Sequence, residues 1–438
     1  MKKLVVLGAG ESGIGSALLA NKMGYEVFVS ERHEIVEKDI LIKNNIEFEE
    51  GGHSSEIILL ADEIVKSPGI PDDIYIIREA RNRSIPIISE IEFAFRYTEA
   101  KIVAITGSNG KTTTTLLIGH ILKNARYDVL IAGNIGKGFA RSIFERDYNY
   151  VVLEISSFQL DDMLNFRPYI AVILNVTPDH LDRYNNDFNK YLSSKLSITN
   201  NQKEEDFLIY NFDDKNIKES LNSEARMIPI SLHNEFEEYG AFLINQEINI
   251  NTKNNNMKIQ ELALQGKHNV YNSMAAAVAS RVLEVKDFVI RQSLLDFKNI
   301  EHRLEHVLNV HGIEFINDSK ATNINSVWYA LESINKEIIW IVGGVDKGNN
   351  YNELIDLVGQ KVKAIVCLGS QTEKIEKSFI SHVDKIVTAS SMHEAVLYSY
   401  ELAEHGDAVV LSPACASFDM FRNYEHRGIE FKKSVKSL

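Results

Sequence analysis

Short runs of apolar, often β-branched residues alternate with longer amphipathic stretches along the whole chain. Examples of the short runs are residues 3–7 (KLVVL), 102–106 (IVAIT) and 338–342 (IIWIV). Parallel strands that are buried on both faces have this continuous apolar character, and the stretches between them have the spacing of helices that cover a sheet. The pattern therefore predicts an α/β fold built on parallel sheets.

The runs fall into three blocks along the chain. The predicted strands are 3–7, 26–30, 63–66 and 85–88 in the first block, 102–106, 128–131, 150–153, 170–174 and 207–210 in the second, and 312–316, 338–342, 364–368 and 408–411 in the third. The length of 438 residues also favours three domains, at roughly 150 residues per domain. We predict domains at residues 1–96, 97–299 and 300–438.

The later part of the second block has a different pattern. Strand candidates at 241–244, 248–250 and 257–259, with the polar residues 254–256 as a turn, predict hairpins at the periphery of the sheet. An alanine-rich stretch then predicts a helix from Asn272 to Arg281.

Charge and cysteine content exclude several classes of protein. The formal charge is −14, with the basic residues scattered among acidic ones, so we expect no nucleic-acid partner. No uncharged run is long enough for a membrane helix, and glycines and Glu11 interrupt the apolar start, so we expect a cytoplasmic protein without a membrane partner. The two cysteines, Cys367 and Cys415, form no CxxC motif and predict neither a disulfide framework nor a zinc site.

A first glycine motif, Gly8-Ala-Gly10-Glu-Ser-Gly13, follows a strand and opens a helix. Such a loop lets the backbone approach a pyrophosphate at a helix N-terminus. Three interpretations stay open: NAD or FAD, another nucleotide diphosphate, and a tight turn without a ligand. Glu31, at the end of the second strand, is a candidate ribose ligand.

A second glycine motif is more specific. Residues 106–113 (TGSNGKTT) lie between a strand and a helix, where backbone N–H groups can cradle phosphate oxygens while Lys111 contacts the β/γ-phosphates and Thr112 holds Mg²⁺. The loop is a shortened variant of GxxxxGK[ST], because position 105 is Ile. A hydride-transfer enzyme has no evident use for such a loop, which weakens the dehydrogenase interpretation of the first motif.

Chemically active side chains follow two strands of the second block. Glu154 comes directly after one strand, and Asp179 and His180 follow the next. The carboxyl ends of parallel strands form the ligand-binding edge of a sheet, so these groups could ligate a metal or act in acid/base catalysis. Lys195, by composition alone, is expected to be a surface lysine on a helix.

The third block carries polar segments of the same kind after its strands. They are 317–323 (NDSKATN), 343–347 (GGVDK) and 412–419 (SPACASFD). The polar segment 301–305 (EHRLE) starts this block, and 266–269 (GKHN) precedes the predicted helix at the end of the second block. Arg303 either reaches a phosphate or belongs to a solvated charge run. Cys415 is expected to be a buried small apolar residue, because no His/Asp pattern surrounds it.

Seven motifs in this order resemble the Mur ligases over essentially the whole chain: TGSNGKTT, EISSFQL, NVTPDHLDRY, GKHNVYN, EHRLE, NDSKATN and SPACASFDMFRNYEHRG. The resemblance implies a Rossmann-like N-terminal domain for a UDP-sugar, a central P-loop ATPase domain and a Rossmann-like C-terminal domain that closes on an amino acid. Within the family it implies the branch that adds D-glutamate to UDP-N-acetylmuramoyl-L-alanine in peptidoglycan precursor synthesis, through an acyl phosphate and with release of ADP and phosphate.

The resemblance also implies roles for individual residues. ATP would be bound by Gly107, Asn109, Gly110, Lys111, Thr112, Thr113, Asn269, Asn272, Arg303 and Asp318. The UDP-sugar would contact Ser12, Gly13, Arg32, Ser67, Pro68, Gly69, Asn134, Ser156, Ser157 and Gln159, and D-glutamate would contact Lys320, Thr322, Lys347, Ser417 and Tyr424. Two Mg²⁺ ions would be held by Thr112 and Glu154 and by His180 and carbamylated Lys195. Lys111, Glu154, His180 and Lys195 are the implied catalytic residues.

Two residues of this sequence differ from those that the family usually has at the same positions. Ser30 stands where the family usually has an acidic residue, and Tyr424 stands where Phe is more common. The alternatives are another acid:amino-acid ligase of the superfamily, an NAD-dependent dehydrogenase, and a nucleotide-binding regulatory module. We expect a monomer.

Overall fold

The structure is a computed structural model that describes residues 1–252, 255–259, 262–264, 266–297 and 301–438. It contains three sheets, of five, nine and six strands, each formed by consecutive parts of the chain. Within each sheet most strand pairs are parallel, so the α/β prediction is confirmed.

The N-terminal sheet has the order β3-β2-β1-β4-β5 and is entirely parallel. Its strands are β1 (Lys3–Leu7), β2 (Glu26–Ser30), β3 (Glu47–Glu49), β4 (Glu63–Lys66) and β5 (Ile87–Ile88), and its helices are α1 (Glu11–Lys22), α2 (Lys38–Lys43), α3 (Ser55–Ile58), α4 (Tyr75–Asn82) and α5 (Glu90–Phe95). The predicted strand 85–88 is shorter than expected. Strand β3 was not predicted, because its sequence EFE is short and mostly charged.

The central sheet has the order β14-β13-β12-β11-β10-β9-β6-β8-β7. Its strands are β6 (Lys101–Thr106), β7 (Val129–Gly133), β8 (Tyr150–Glu154), β9 (Ile170–Ile173), β10 (Phe207–Asn211), β11 (Arg226–Ser231), β12 (Gly240–Ile244), β13 (Glu247–Thr252) and β14 (Asn255–Ile259). Its α-helices are α6 (Lys111–Asn124), α7 (Phe139–Glu145), α8 (Ser157–Leu160), α9 (Phe188–Leu196), α10 (Lys215–Ser220), α11 (Lys267–Val282) and α12 (Asp287–Asp296); Leu181–Tyr184 and Ser197–Thr199 are 3₁₀-helices.

The predicted hairpins do lie at one edge of this central sheet, where β12, β13 and β14 pair antiparallel. The predicted turn at 254–256 is wrong in its second part, because Asn255 and Asn256 belong to β14 and pair with β13. Residue 254 lies outside the described residues. Helix α11 begins at Lys267 rather than Asn272, since its polar first turn continues the helical backbone before the alanine-rich part.

The C-terminal sheet has the order β15-β16-β20-β17-β18-β19, with only β15 antiparallel to its neighbour. Its strands are β15 (Glu305–Val310), β16 (Ile313–Asn317), β17 (Ile338–Val342), β18 (Val362–Leu368), β19 (Lys385–Ala389) and β20 (Ala408–Leu411), and its helices are α13 (Ile324–Ser333), α14 (Ile355–Lys361), α15 (Glu373–Phe379), α16 (Met392–Leu402) and α17 (Tyr424–Lys436), with a 3₁₀-helix at Tyr351–Leu354. Alternate residues of β17 enter two separate cores, Trp340 on one face and Ile339 on the other. Helices therefore cover both faces, as predicted.

The described residues form two compact units. The first comprises Met1–Val176, Asp187–Ala263 and Asn269–Phe297, and the second comprises the rest of the described chain, including Thr177–Asn186 and the C-terminal sheet. The predicted boundary at 299/300 lies outside the described residues. Cys367 and Cys415 are both buried and unbridged, as expected. In the part of the chain that the structure describes, no helix combines the length and the apolar character needed to cross a membrane.

Candidate active site

The second glycine motif forms a tight loop between β6 and α6. Gly107 and Gly110 both have positive φ, 150° and 85°. A Cβ atom on Gly110 would lie 2.3 Å from Asn272 Oδ1, so the loop needs glycine there for both conformation and space. The Lys111 ammonium donates to the carbonyl oxygens of Gly107 (2.8 Å) and Ser108 (3.0 Å), which holds a cation over the loop.

A buried polar cluster lies at the end of the neighbouring strand β8. Glu154, 2% exposed, accepts hydrogen bonds from the Thr112 hydroxyl (2.6 Å) and from Asn134 Nδ2 (2.9 Å). Glu154 is thus in direct contact with Thr112 and Asn134, to which the resemblance gave roles at ATP and at the sugar. A hydroxyl and a carboxylate beside a phosphate-type loop are the oxygen ligands that Mg²⁺ prefers.

Lys195 is not a surface lysine, so the expectation from composition alone is wrong. It is 2% exposed, and its ammonium donates to the carbonyl oxygen of Gly107 at 2.9 Å. The same nitrogen lies 4.7 Å from the centre of the Tyr191 ring. The error arose because α9 packs one polar-looking face against the glycine loop, and a single sequence cannot show which face of an amphipathic helix is covered.

Two asparagines of α11 border the same loop. Asn272 donates through Nδ2 to Asn269 Oδ1 (3.1 Å) and accepts from the Thr114 hydroxyl (3.3 Å). Asn109 is held nearby, because its backbone N–H donates to Asn175 Oδ1 at 2.8 Å. The first unit therefore brings the predicted ATP residues of the loop and of α11 together.

The segment 156–159 forms a capping box at the start of α8. The Gln159 N–H donates to the Ser156 hydroxyl at 3.4 Å, and the Ser156 N–H donates to Gln159 Oε1 at 2.9 Å. Ser157 and Gln159 are buried. Since α8 directly follows Glu154, this short motif fixes the chain at the edge of the sheet beside the metal-type ligands.

In the second unit, the segment 177–186 brings two predicted residues to the C-terminal sheet. His180 has a positive φ of 52°, and its Nδ1 lies 3.5 Å from Lys347 Nζ. Asp179 accepts from Asn323 Nδ2 at 3.1 Å. His180 and Lys347, predicted as a metal ligand and a substrate contact, are therefore neighbours.

Asp318 is a buried carboxyl in the same unit. It accepts from the Leu304 N–H (3.2 Å) and from the Ser412 hydroxyl (2.9 Å). Burial raises the pKa of Asp318 to about 6, while the nearby charge of Arg303 opposes the rise. Arg303 is half-buried and its Nε has no hydrogen-bond partner among the described residues, which disfavours the solvated charge run considered for it.

Of the predicted D-glutamate residues, Lys320 lies next to Tyr424. Lys320 Nζ lies 5.1 Å from the centre of the Tyr424 ring, and Ser417 is 3% exposed. Thr322 is half-buried in the same segment as Lys320. These side chains combine cationic and hydroxyl groups, which suit a dicarboxylate.

Sequence reasoning missed Arg427, which joins two of the motifs. Its guanidinium donates to the Ser319 hydroxyl (3.0 Å), the Ser319 carbonyl (2.9 Å) and the Cys415 carbonyl (3.1 Å). Burial lowers the pKa of Arg427 to about 10. The residue stands within the quoted motif SPACASFDMFRNYEHRG, but only tertiary structure shows that it is 1% exposed and positions other segments.

The N-terminal sheet carries a separate cavity of about 570 Å³ at the ends of β1, β2 and β4. Arg32 and Gly69 line it, as does Gly8, whereas Ser12 and Gly13 lie in the first turn of α1 outside the lining. Ser67 and Pro68 directly precede Gly69, and the Ser67 hydroxyl lies 3.5 Å from the Gly8 carbonyl oxygen.

Glu31, the candidate ribose ligand, lines this cavity and also contacts its backbone. Its carboxylate accepts from the N–H groups of Ala9 (2.7 Å) and His33 (3.1 Å). Burial raises the pKa of Glu31, but these hydrogen bonds together outweigh burial and leave the pKa below its usual range. His53 also lines the cavity and was not singled out from the sequence.

Three domain models match the chain in order. They are the N-terminal domain of MurD-like Mur ligases over residues 2–89, the Mur ligase middle domain over residues 105–280, and the Mur ligase glutamate ligase domain over residues 302–415. The three matches agree with three sheets in consecutive parts of the chain.

Curated relatives match over the full length. The UDP-N-acetylmuramoylalanine--D-glutamate ligase of Christiangramia forsetii is 48% identical, with 100% of both chains covered. The enzyme of the same name from Porphyromonas gingivalis W83 is 49% identical over 99% of this chain and 98% of the relative. That from Cytophaga hutchinsonii is 46% identical over 100% and 99%.

Solved structures share the fold at low sequence identity. A pseudomurein peptide ligase type C from Methanothermus fervidus has a TM-score of 0.63 at 22% identity, and a UDP-N-acetylmuramate-alanine ligase from Thermotoga maritima has 0.63 at 19%; both cover 100% of both chains. A MurF ligase from Thermotoga maritima in complex with ADP has 0.59 at 16%, over 86% of this chain and 90% of that one. Taken with the domain models and the full-length relatives, the fold and the motifs establish that this chain belongs to the Mur ligase family.

Proposed function

We propose that this chain is the ATP-dependent ligase that joins D-glutamate to UDP-N-acetylmuramoyl-L-alanine in peptidoglycan precursor synthesis, releasing ADP and phosphate. The observation that carries the proposal is the contact of buried Glu154 with Thr112 and Asn134 beside the glycine loop, in a chain 46–49% identical over its full length to ligases of that name. Domain boundaries near 96/97 and 299/300 are part of the proposal.

ATP is assigned to the loop 107–113 and to the asparagines of α11. The N–H groups at the start of α6 face the loop, and Lys111 supplies a fixed positive charge, so phosphate oxygens gain both hydrogen bonds and charge compensation. In the second unit we assign Arg303 and Asp318 to ATP. The unpartnered Nε of Arg303 and the acceptor oxygens of Asp318 suit a phosphate and a hydroxyl, respectively.

The residues present fit Mg²⁺. Thr112 and Glu154 offer two oxygen ligands at 2.6 Å from each other in a buried site, and that close pair is the donor set expected of a nucleotide-bound magnesium. Bound there, Mg²⁺ would neutralise phosphate charge. His180 and Lys195 are assigned to a second Mg²⁺, with Lys195 carbamylated; a carbamate would turn the buried lysine into an anionic oxygen ligand.

The reaction follows from the chemistry of a carboxylate. An amine does not displace oxygen from a carboxylate, because that group is anionic and its oxygen is a poor leaving group. Transfer of the γ-phosphoryl group of ATP to the L-alanyl carboxylate forms an acyl phosphate and ADP. The D-glutamate amine then attacks the acyl carbon, an oxyanion develops, and phosphate leaves as the amide forms. Lys111 compensates the negative charge that gathers when one anion attacks another.

Binding of the substrates is assigned to the edges of the three sheets. Asn134, Ser156, Ser157 and Gln159 border Glu154 and are placed at the sugar and its activated carboxylate. In the second unit, Lys320, Thr322, Lys347, Ser417 and Tyr424 are assigned to D-glutamate, whose two carboxylates need cations and hydroxyls. The cavity of the N-terminal sheet is assigned to uridine and its diphosphate.

The test is phosphate release by the purified chain with ATP, Mg²⁺ and UDP-N-acetylmuramoyl-L-alanine, with single amino acids added in turn and the product mass determined. We expect release that requires both the UDP-sugar and D-glutamate and that yields the matching amide. Release with another amino acid would contradict the substrate assignment, and absence of release with every acceptor would contradict the ligase assignment. Glu154→Gln is the matched negative control, because it keeps the size of the side chain and removes its charge.

A further inference from the structure

A buried serine connects an acidic side chain to a histidine of the N-terminal cavity. The Ser30 hydroxyl, fully buried at the end of β2, lies 2.7 Å from Glu49 Oε1 and 2.7 Å from His53 Nδ1. Ser30 and Glu49 are paired in register on β2 and β3, and His53 follows on the next loop. The three groups form one chain of hydrogen bonds that ends at the cavity wall, which His53 lines.

The number of protons available on these groups fixes which of them donates in each hydrogen bond. Two Ser54 groups, its N–H (2.8 Å) and its hydroxyl, also donate to Glu49. Although burial raises the pKa of Glu49, the hydrogen bonds from Ser54 and Ser30 outweigh it and hold that pKa below its usual range. Glu49 is therefore an ionised carboxylate, which can only accept, so the single Ser30 proton points towards it.

The histidine must then donate to the serine. The Gly52 carbonyl, 3.4 Å from the Ser30 oxygen, is the other acceptor in reach, and donation to it would have the same consequence. With its proton directed away, the Ser30 oxygen accepts from His53 Nδ1–H. In the neutral imidazole, Nε2 then carries a lone pair. Among the described residues Nε2 has no hydrogen-bond partner, so it is the ring nitrogen left for a ligand.

We propose that His53, held in one tautomer by Glu49 through Ser30, determines the nucleobase specificity of the cavity by accepting a hydrogen bond from the ring N–H at N3 of a pyrimidine base. Uracil has such a donor at N3, whereas cytosine has a lone pair there, which would face the lone pair of Nε2. This proposal rests on the assignment of the cavity to the uridine end of the substrate. It gives Glu49, a residue on a neighbouring strand, a positioning role.

The test compares KM for UDP-N-acetylmuramoyl-L-alanine with KM for its CDP counterpart at pH 8.5, using the full chain with ATP and D-glutamate saturating. We expect wild type to favour the UDP compound by about tenfold or more, the usual cost of an unpaired polar contact. His53→Gln offers either a donor or an acceptor and should reduce that preference to about twofold. The kcat at saturation and the KM values for ATP and D-glutamate should not change.

Glu49→Gln tests the positioning role. Glu49 Oε1 accepts from both Ser30 and the Ser54 N–H, so a glutamine keeps its carbonyl oxygen there and turns its amide towards the Ser54 hydroxyl. A neutral amide oxygen is a weaker acceptor than a carboxylate, so the Ser30 proton is held less firmly and the preference for the UDP compound should fall. Ser30→Ala should give an intermediate ratio. His393→Gln is the matched control, since His393 is an exposed histidine of α16 in the second unit; the ratio should stay that of wild type.

Equal KM values for the two nucleotides in wild type, or a wild-type ratio in both His53→Gln and Glu49→Gln, would overturn the proposal. Calorimetric binding of UDP and CDP separates this result from failure of the proposed function. If the chain forms no amide product yet binds UDP more tightly than CDP in a His53-dependent way, the ligase assignment fails and the base assignment stands.

Discussion

The two glycine loops of the first unit have similar sequence settings and opposite electrostatics. Each follows the first strand of its sheet and opens a helix. In the loop at 107–110 two lysines, Lys111 and Lys195, donate to the same carbonyl of Gly107. In the loop at 8–13 a carboxylate, Glu31, accepts from the loop amide of Ala9. A glycine pattern therefore specifies a backbone shape, and the charges brought from elsewhere decide which ligand that shape can hold.

The largest difference between the loops should appear when each loses its cation. Lys111→Met removes the charge that compensates phosphate oxygens, and we expect kcat for phosphate release to fall about 10³-fold. Arg32→Met, beside the first loop, should raise KM for the UDP-sugar about tenfold and leave kcat and the KM for ATP unchanged. Steady-state kinetics with each substrate varied will measure both. If Lys111→Met and Arg32→Met changed KM for ATP by the same factor, the proposed difference in ligand between the two loops would be contradicted.

Lys195 is a second lysine that contacts the P-loop, and carbamylation would replace its positive charge with an anionic oxygen ligand. Lys195→Ala should lower kcat about 10²-fold if carbamylated Lys195 is a metal ligand. A short carboxylic acid such as acetate, added at high concentration, should restore part of the activity by supplying the missing oxygen ligand. Lys195→Arg, which has the positive charge of unmodified lysine but cannot form the carbamate, should stay inactive and should not be restored. Full activity of Lys195→Arg would contradict the carbamate assignment.

Replacing glycine with alanine should reduce activity in the second loop and have little effect in the first. Gly110→Ala places a methyl group 2.3 Å from Asn272 Oδ1 at a φ of 85°, and we expect about a 30-fold loss of kcat/KM for ATP, from strain and displacement of Asn272. Gly10→Ala is the matched control, because a Cβ atom there meets no atom within 4 Å. Its kinetics should lie within about twofold of wild type, as for most unstrained surface substitutions.

The smallest effect concerns stability against acid. The folded state holds the pKa of Glu31 below its usual range, so the folded protein binds this proton less tightly than the unfolded chain does. The stabilisation from Glu31 is therefore present above the unfolded pKa and is lost as the pH falls through the folded one. At pH 7 to 8 the Tm of Glu31→Gln should be lower than that of wild type by no more than about 2 °C. Below pH 4 this difference in Tm between the two proteins should become smaller. Calorimetry across pH will measure it.

Much of the fold could be predicted because most strands are continuous apolar runs. Strands such as β1 and β17 are buried on both faces, and that burial leaves a direct trace in their composition. The unpredicted strands β3, β11, β15 and β19 carry polar or charged residues at exposed positions, so pairing with a neighbour contributes more than apolar content to making them strands. Their existence depends on hydrogen bonds to distant segments, which the local pattern does not encode.

In the candidate active site, too, some features could be predicted from the sequence and others only from the tertiary structure. The order of motifs along the chain determined the family, the P-loop and the candidate residues, because loops that hold phosphate need glycine, lysine and hydroxyls at close spacing. Only the tertiary structure decided that Lys195 is buried on Gly107, that Arg427 joins the segments at 319 and 415, and that Ser30 connects Glu49 with His53. These contacts join residues whose distance in space is unrelated to their distance in sequence, so burial and hydrogen-bond geometry arise only when the sheets are assembled.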